Sequence, residues 1–274
     1  MRNRVLALAL TLVMAALSVT ASAAAATSPD RAQERSSRPT QYSLLQLNLC
    51  LSGLAGCYDD TEYPAVVEEA IDAVRAEQPQ AVTINEGCSG DVARIAEQTG
   101  MQHRFATVIY RGAPLPCVDP GGRGVFGNAV LTRAEITSSQ GQAYEAQLGS
   151  EERRWLCVGI TDGVRVCTSH LSVAGSEAQV ATNEAQCREL GEVLADGERR
   201  GTTVFAGDVN RQGSCAPSGS WTFRDDQATQ ARGIQHAYGS HRSLLGPVAE
   251  IVPMTYTDHD GLLVRALLRP VPTR

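Results

Sequence analysis

The sequence predicts an α/β fold in which two mixed β-sheets pack face to face with helices on the outside. Three observations carry this. Apolar strand-like runs recur along the chain, only three helical patterns are interleaved with them, and several successive strands are separated by turns too short for a helical crossover. The length of 274 residues suits one large domain, and no internal repeat or second-domain boundary is visible.

The elements follow in order. Residues 1–26 carry a secretory signal pattern: Arg2 and Arg4 precede the apolar run Val5 to Val19, and small residues follow from Ala21 to Ala26. That run is short for a membrane span, so an exported, soluble protein without stable membrane insertion is expected. Residues 27–41 are rich in Ser, Pro, Arg and Gln and read as a solvated leader. The folded domain is expected over 42–269, with a short tail at 270–274. Tyr42 to Cys50 is its first strand. Pro64 to Glu77 is a helix, because Val67, Ala70, Ile71 and Val74 share one face and Pro64 suits a first turn. Gln80 to Cys88 is a strand, Asp91 to Gln98 a short helix, and Arg104 to Tyr110 a third strand before the Gly/Pro-rich loop Gly112 to Gly124. Strands are expected at Gly127 to Thr132, and at Arg154 to Ile160 and Val164 to Leu171, the last two joined by the Asp162-Gly163 turn. Ser176 and Gln179 form a capping-box pattern that opens a helix to about Ala195, with Gly197 placed to stop it. Thr202 to Ala206 is a buried strand, and Ile234 to Ser240 and Gly261 to Leu268 close the fold.

Composition narrows the function. The net charge is −6, and falls to −8 once Arg2 and Arg4 leave with the signal. A sequence-indifferent nucleic-acid coat is thereby excluded, and any attraction for an anionic substrate must be local. Every basic residue is Arg. The eight cysteines all lie beyond the signal, and an even number in an exported chain points to disulfides. Cys50 with Cys57 would close a short loop, and Cys157 with Cys167 flank the hairpin turn symmetrically. Cys88, Cys117, Cys187 and Cys215 carry no local signal; Cys88 with Cys117 and Cys187 with Cys215 is the pairing taken only by elimination, and the connectivity stays open. No spacing matches a zinc site.

Chemistry-bearing residues gather at strand ends. Leu44-Leu45-Gln46-Leu47 runs into Asn48, Val82-Thr83-Ile84-Asn85 into Glu86, Val166-Cys167-Thr168-Ser169 into His170, and Val204-Phe205-Ala206-Gly207 into Asp208 and Asn210. Met254-Thr255-Tyr256-Thr257 leads to Asp258 and His259. Carboxyl ends of strands in an α/β sheet open onto the ligand crevice, so these groups should converge. Their order, with Gly127-Asn128 between them, resembles the endonuclease/exonuclease/phosphatase superfamily, which includes deoxyribonuclease I. The match spans nearly all of Tyr42 to Leu268.

That resemblance implies a four-layer sandwich and phosphoester hydrolysis assisted by Mg²⁺, with Mn²⁺ or Ca²⁺ as alternatives. Glu86 would hold the metal with Asn48 and Asp258. Asp208 would orient and help deprotonate water, Asn210 would donate to a phosphoryl oxygen, and His170 and His259 would stabilise charge on phosphorus. Asn128 would help place substrate, and Arg123 and Arg211, with Arg111, would meet phosphates at the mouth. Two departures stand out. Many members carry an Asp that orients the last histidine where this chain has Gln235, and Val125-Phe126-Gly127 offers no carboxylate for the first histidine. His103, His236 and His241 belong to no motif. A secreted, monomeric phosphodiesterase acting on nucleic acid is the leading expectation. A sphingomyelinase-like phospholipid hydrolase, a phosphatase of small phosphoesters and a non-catalytic binding module are the alternatives.

Overall fold

The computed structural model describes residues 38–269. The signal pattern, most of the leader and the tail lie outside the described residues. The first half contains β1 (Thr40–Asn48), α1 (Ala65–Glu77), β2 (Ala81–Cys88), α2 (Ser89–Thr99), β3 (Gln102–Thr107), β4 (Ile109–Tyr110), β5 (Ala113–Pro114) and β6 (Phe126–Thr132). The second contains β7 (Ile136–Ala143), β8 (Glu151–Glu152), β9 (Arg154–Ile160), β10 (Val164–Ser169), α3 (Glu177–Arg200), β11 (Thr202–Asp208), β12 (Ser220–Arg224), β13 (Gln235–Ser240), β14 (Leu244–Val252) and β15 (Gly261–Leu268).

Two six-stranded sheets form, in the orders β14-β15-β1-β2-β6-β3 and β12-β13-β11-β10-β9-β7, with a small third sheet β5-β4-β8 beside them. Both large sheets are mixed: β1 pairs parallel with β2 and antiparallel with β15, and β10 pairs parallel with β11 and antiparallel with β9. Alternation along the strands builds three apolar layers. Leu45, Leu47, Val82 and Ile84 pack under α1 and α2 with Val67, Ile71 and Ile95. Leu44, Ala81 and Val130 of the first sheet meet Val158, Val166 and Val204 of the second. Phe205 and Tyr238 pack with Leu190 and Leu194 of α3. The order of layers is therefore helices, sheet, sheet, helix, the sandwich expected.

All four expected disulfides are present: Cys50–Cys57, Cys88–Cys117, Cys157–Cys167 and Cys187–Cys215. Ser176 caps α3, its side chain accepting from the Gln179 N–H. Gly197 does not stop that helix, which runs on to Arg200. A Cβ at Gly197 would lie 2.6 Å from Thr203 Oγ1, so this glycine lets α3 approach β11 closely. Five strands escape the sequence pattern, the two-residue β5 and β8 and three longer ones. β7 is polar and mostly exposed at a sheet edge, β12 is short, and β14 is interrupted at Gly246-Pro247, where its register against β15 shifts. Proline is tolerated at such an edge.

Candidate active site

The inter-sheet layer turns polar at one end, and strand alternation explains how. In β1, Tyr42 and Leu44 face the second sheet, so Gln46 and Asn48 do too. The same parity carries Ala81 to Thr83 and Asn85 in β2, Val166 to Thr168 and His170 at β10, and Val204 and Ala206 to Asp208 in β11. Glu86 has the wrong parity. It is brought into the site by an irregularity between Ile84 and Gly87 in the β2/β6 pairing, with Glu86 itself at φ 55°. A bulge of this kind re-aims one side chain, and left-handed backbone at a non-glycine residue is held only where the surroundings enforce it.

Asp258 and His259 arrive by a different route from the one expected. They follow no strand but sit in the loop between β14 and β15. Because β15 runs antiparallel to β1, its start lies at the same end of the sheet as Asn48. The loop is pinned by Thr257 Oγ1 donating to the Asn48 carbonyl at 3.1 Å and by Met254 N–H donating to Asp260 at 2.9 Å.

Together these residues border a cleft of about 640 Å³, lined by Glu86, Arg153, His170, Asp208, Asn210, Asp258 and His259 and by apolar Leu54, Leu115, Phe126 and Val173 among others. Asn48 is buried beneath it. Its amide nitrogen donates to Glu86 Oε1 at 3.0 Å and Asp208 Oδ2 at 3.1 Å, while its oxygen accepts from the Cys50 N–H. Asn48 thus bridges the two carboxylates in this arrangement. Asp208 is further fixed by Asn210 N–H at 2.9 Å, and its own N–H donates to Asn85 Oδ1 at 2.7 Å. Asn210 Nδ2 lies 2.9 Å from His170 Nε2, and His170 Nε2 is 3.9 Å from Glu86. His259 Nε2 lies 3.7 Å from both Asp208 and Asp258.

Burial sets the electrostatics. It pushes Glu86 up to about 7 against the Asn48 hydrogen bond, and raises Asp208 as well. It holds His170 well below the usual imidazole range, with the Arg153 charge adding to the effect. His170 is therefore neutral near pH 7.

Not every expected residue joins the cleft. Asn128 lies under it, accepting from Asn85 Nδ2 at 3.0 Å. Arg123, expected at the phosphate mouth, is 6% exposed and spent inside the protein. Its guanidinium pairs with Asp91 at 2.9 Å, donates to the Leu51, Asp119 and Pro120 carbonyls, and lies over the Tyr63 ring. Arg211 folds back onto Gly213 and Asn183 and does not line the cleft. Gln235 sits at the inter-sheet face, but its amide donates to Asp225 Oδ2 and the Asp260 carbonyl, and makes no hydrogen bond to His259 among the described residues. His259 Nδ1 is buried without a partner among them.

Sequence reasoning missed two residues. Asn85 organises the floor, linking Gln46, Asn128 and the Asp208 backbone; its inter-sheet parity was the available signal. Arg153 is the one cationic Arg lining the cleft among the described residues, and its Nη1 is buried without a partner. Nothing in Glu151-Glu152-Arg153-Arg154 distinguishes it from its neighbours.

The fold is that of the endonuclease/exonuclease/phosphatase proteins. The chain superposes on an endonuclease/exonuclease/phosphatase from Beutenbergia cavernae with a TM-score of 0.58 and 20% identity, covering 84% of this chain and 72% of that one. The human Nocturnin catalytic domain with bound sulfate gives 0.62 at 13% identity over 84% and 94%. TDP2 of D. rerio, complexed with a single-strand DNA product, gives 0.57 at 12% over 83% and 99%. No family model and no curated protein matches the sequence.

Proposed function

We propose that the protein is an exported, divalent-metal-dependent hydrolase of phosphodiesters, with nucleic acid the leading substrate. The observation that carries this reading is the buried pair Glu86 and Asp208, bridged by Asn48 and lining one cleft with His170 and His259.

The donor set fits a hard divalent cation. Two carboxylates whose ionisation is opposed by burial stand together, with Asp258 on the same cleft, and such oxygens suit Mg²⁺. Glu86 and Asp258 would hold the ion, with Asn48 positioning Glu86. The nearby sulfurs of Cys50 and Cys57 are committed to a disulfide and offer no thiolate. Bound there, the cation would polarise a phosphoryl oxygen and offset its charge. Asp208, held by Asn48 and the Asn210 N–H, orients the attacking water and accepts its proton. Asn210 Nδ2 here donates to the Leu171 carbonyl and to His170 Nε2, so a phosphoryl oxygen would displace the imidazole contact. Asn210 would then turn one hydrogen to that oxygen, and neutral His170, released, would donate from its protonated ring nitrogen rather than supply a positive charge. His259, between Asp208 and Asp258, stands at the point where charge develops, and Arg153 contributes the cationic contact expected of Arg123 and Arg211.

Export is supported by the four disulfides, and no helix among the described residues is long and apolar enough to cross a membrane. The nucleic-acid preference is supported by the DNA product seen on the D. rerio neighbour. The test is a panel of single-stranded DNA, RNA, sphingomyelin and p-nitrophenyl phosphate, offered to oxidised protein with Mg²⁺ and again in excess chelator. Metal-dependent cleavage of the nucleic acids foremost is the expected result. Preference for sphingomyelin would replace the substrate assignment, and turnover that ignores chelator would remove the metal.

A further inference from the structure

Beside the main cleft lies a smaller recess of about 290 Å³. The two share Tyr110, Glu151, Arg153 and Val173, so a ligand in one continues into the other. Its outer walls are Leu148, Ser150, Ser172 and Gln179. The recess is built on ordered backbone. Tyr110 pairs with Glu151 across β4 and β8, and the Arg111 N–H donates to the Ser150 carbonyl at 2.8 Å. Arg111 stands over the Tyr110 ring at 5.2 Å and does not itself line the recess, so it braces the ring from outside.

Three of its wall residues, Tyr110, Leu148 and Val173, are among the eight large hydrophobic side chains that stand exposed in the described chain. Such a concentration at one edge of a cleft marks a ligand surface. The polar wall is equally specific. The Ser150 and Ser172 hydroxyls and the Gln179 carboxamide make no hydrogen bond to another group among the described residues, so donors and acceptors both remain to be met. An acyl chain would leave those groups facing hydrocarbon. A second phosphate would meet Glu151. A flat ring with apolar faces and a polar edge satisfies both walls.

We propose that this recess is the subsite for a nucleobase attached to the phosphate that Arg153 and His170 face. The proposal rests on the phosphodiesterase reading for the placement of phosphate. It specifies the substrate class as a phosphodiester carrying a nucleoside on at least one side, bound through one base rather than through a long run of phosphates.

The test is binding, which needs no turnover. Affinities of the oxidised protein for adenosine 5′-monophosphate and ribose 5-phosphate, measured calorimetrically, differ only by the base. The monophosphate should bind about tenfold more tightly or better, the scale of one base–aromatic stack. Tyr110→Ala should erase the difference and leave ribose 5-phosphate unchanged, and Gln179→Ala, on a separate element, should reduce it. Equal affinities in the wild type would overturn the proposal. So would dodecyl phosphate binding more tightly than adenosine 5′-monophosphate and losing that advantage in Tyr110→Ala. Hydrolysis of thymidine 5′-(p-nitrophenyl) phosphate and methyl p-nitrophenyl phosphate, run alongside, separates the two readings. If neither diester is cleaved, the phosphodiesterase assignment fails while the base subsite is still decided by binding.

Discussion

Arg123 and Arg153 are used in opposite ways. Arg123 is wrapped by Asp91, three carbonyls and the Tyr63 ring, and ties the loop at 117–124 to the start of the cleft wall. Arg153 lines the cleft with one nitrogen paired to Glu151 at 3.2 Å and another buried without a partner. Two histidines repeat the contrast. Both ring nitrogens of His236 are engaged, by the Tyr238 hydroxyl at 2.6 Å and the Gly233 carbonyl at 3.1 Å, whereas His170 faces the cleft beside Asn210. A charged or titratable group whose bonds are all met inside the protein serves folding. One whose bonds are incomplete at a cleft is available to substrate.

The contrast is broken or sharpened by substitution. The largest effect should be Arg123→Ala, which leaves Asp91 buried and unpaired and should cost about 3–5 kcal/mol of stability. Chemical denaturation reads this, and kcat of the folded protein should stay near native. A large fall in kcat with unchanged stability would return Arg123 to the substrate.

His236 comes next. Burial lowers it to about 4 in the folded protein, while the unfolded chain titrates it near 6.5. Below about 6.5 the unfolded state binds the extra proton, so the stability this neutral imidazole contributes is complete above that pH. It is lost progressively as pH falls to about 4, by roughly 3 kcal/mol in all. Urea midpoints between pH 7 and pH 4 should fall accordingly, and His236→Asn should flatten that slope. An unchanged slope would place the titration elsewhere.

Arg153→Ala should show the inverse of Arg123→Ala: kcat/KM for a phosphodiester lower by roughly ten- to a hundredfold, or about 1.4–2.7 kcal/mol. Stability should move little, because its pairing with Glu151 is partly solvated. Partial recovery in Arg153→Lys would identify charge as the contribution. The smallest effect should be Ser176→Ala, which removes the cap of α3 and should cost about 1 kcal/mol by thermal melting without altering chemistry.

These cases also show what the sequence could display. Asn48, Asp208 and His170 were legible because strand alternation and motif order agree: each has the parity of apolar residues that face the opposite sheet. Glu86 was legible as a motif residue but not as geometry, since its parity points to the helix layer and only the irregularity in β2 turns it inward. Asp258 and His259 were found at the right end of the fold for the wrong reason, as a strand end instead of a loop before β15. Cysteine parity calls for disulfides and spacing picks out Cys50–Cys57 and Cys157–Cys167, whereas Cys88–Cys117 and Cys187–Cys215 carry no local signal and rest on elimination alone. Arg153 and Arg123 were not separable, because the difference lies in long-range partners: Arg123 meets Leu51 and Asp91, both distant in sequence. Gln235 reads as a departure from the family pattern. Its hydrogen bonds to Asp225 and Asp260 belong to contacts that no local pattern encodes.

The central claim is that the polar end of the inter-sheet layer hydrolyses phosphodiesters with a divalent cation, Asp208 handling the water and Glu86 the metal. The most direct measurement is the Mg²⁺ dependence of bis(p-nitrophenyl) phosphate hydrolysis for the native protein, Asp208→Asn and Glu86→Gln. Native turnover should vanish in excess chelator and return with Mg²⁺. Asp208→Asn should lose about a hundredfold or more in kcat while folding normally, and Glu86→Gln should need a higher Mg²⁺ concentration for half-maximal rate. Native turnover persisting in saturating chelator, or near-native kcat in Asp208→Asn, would contradict the account.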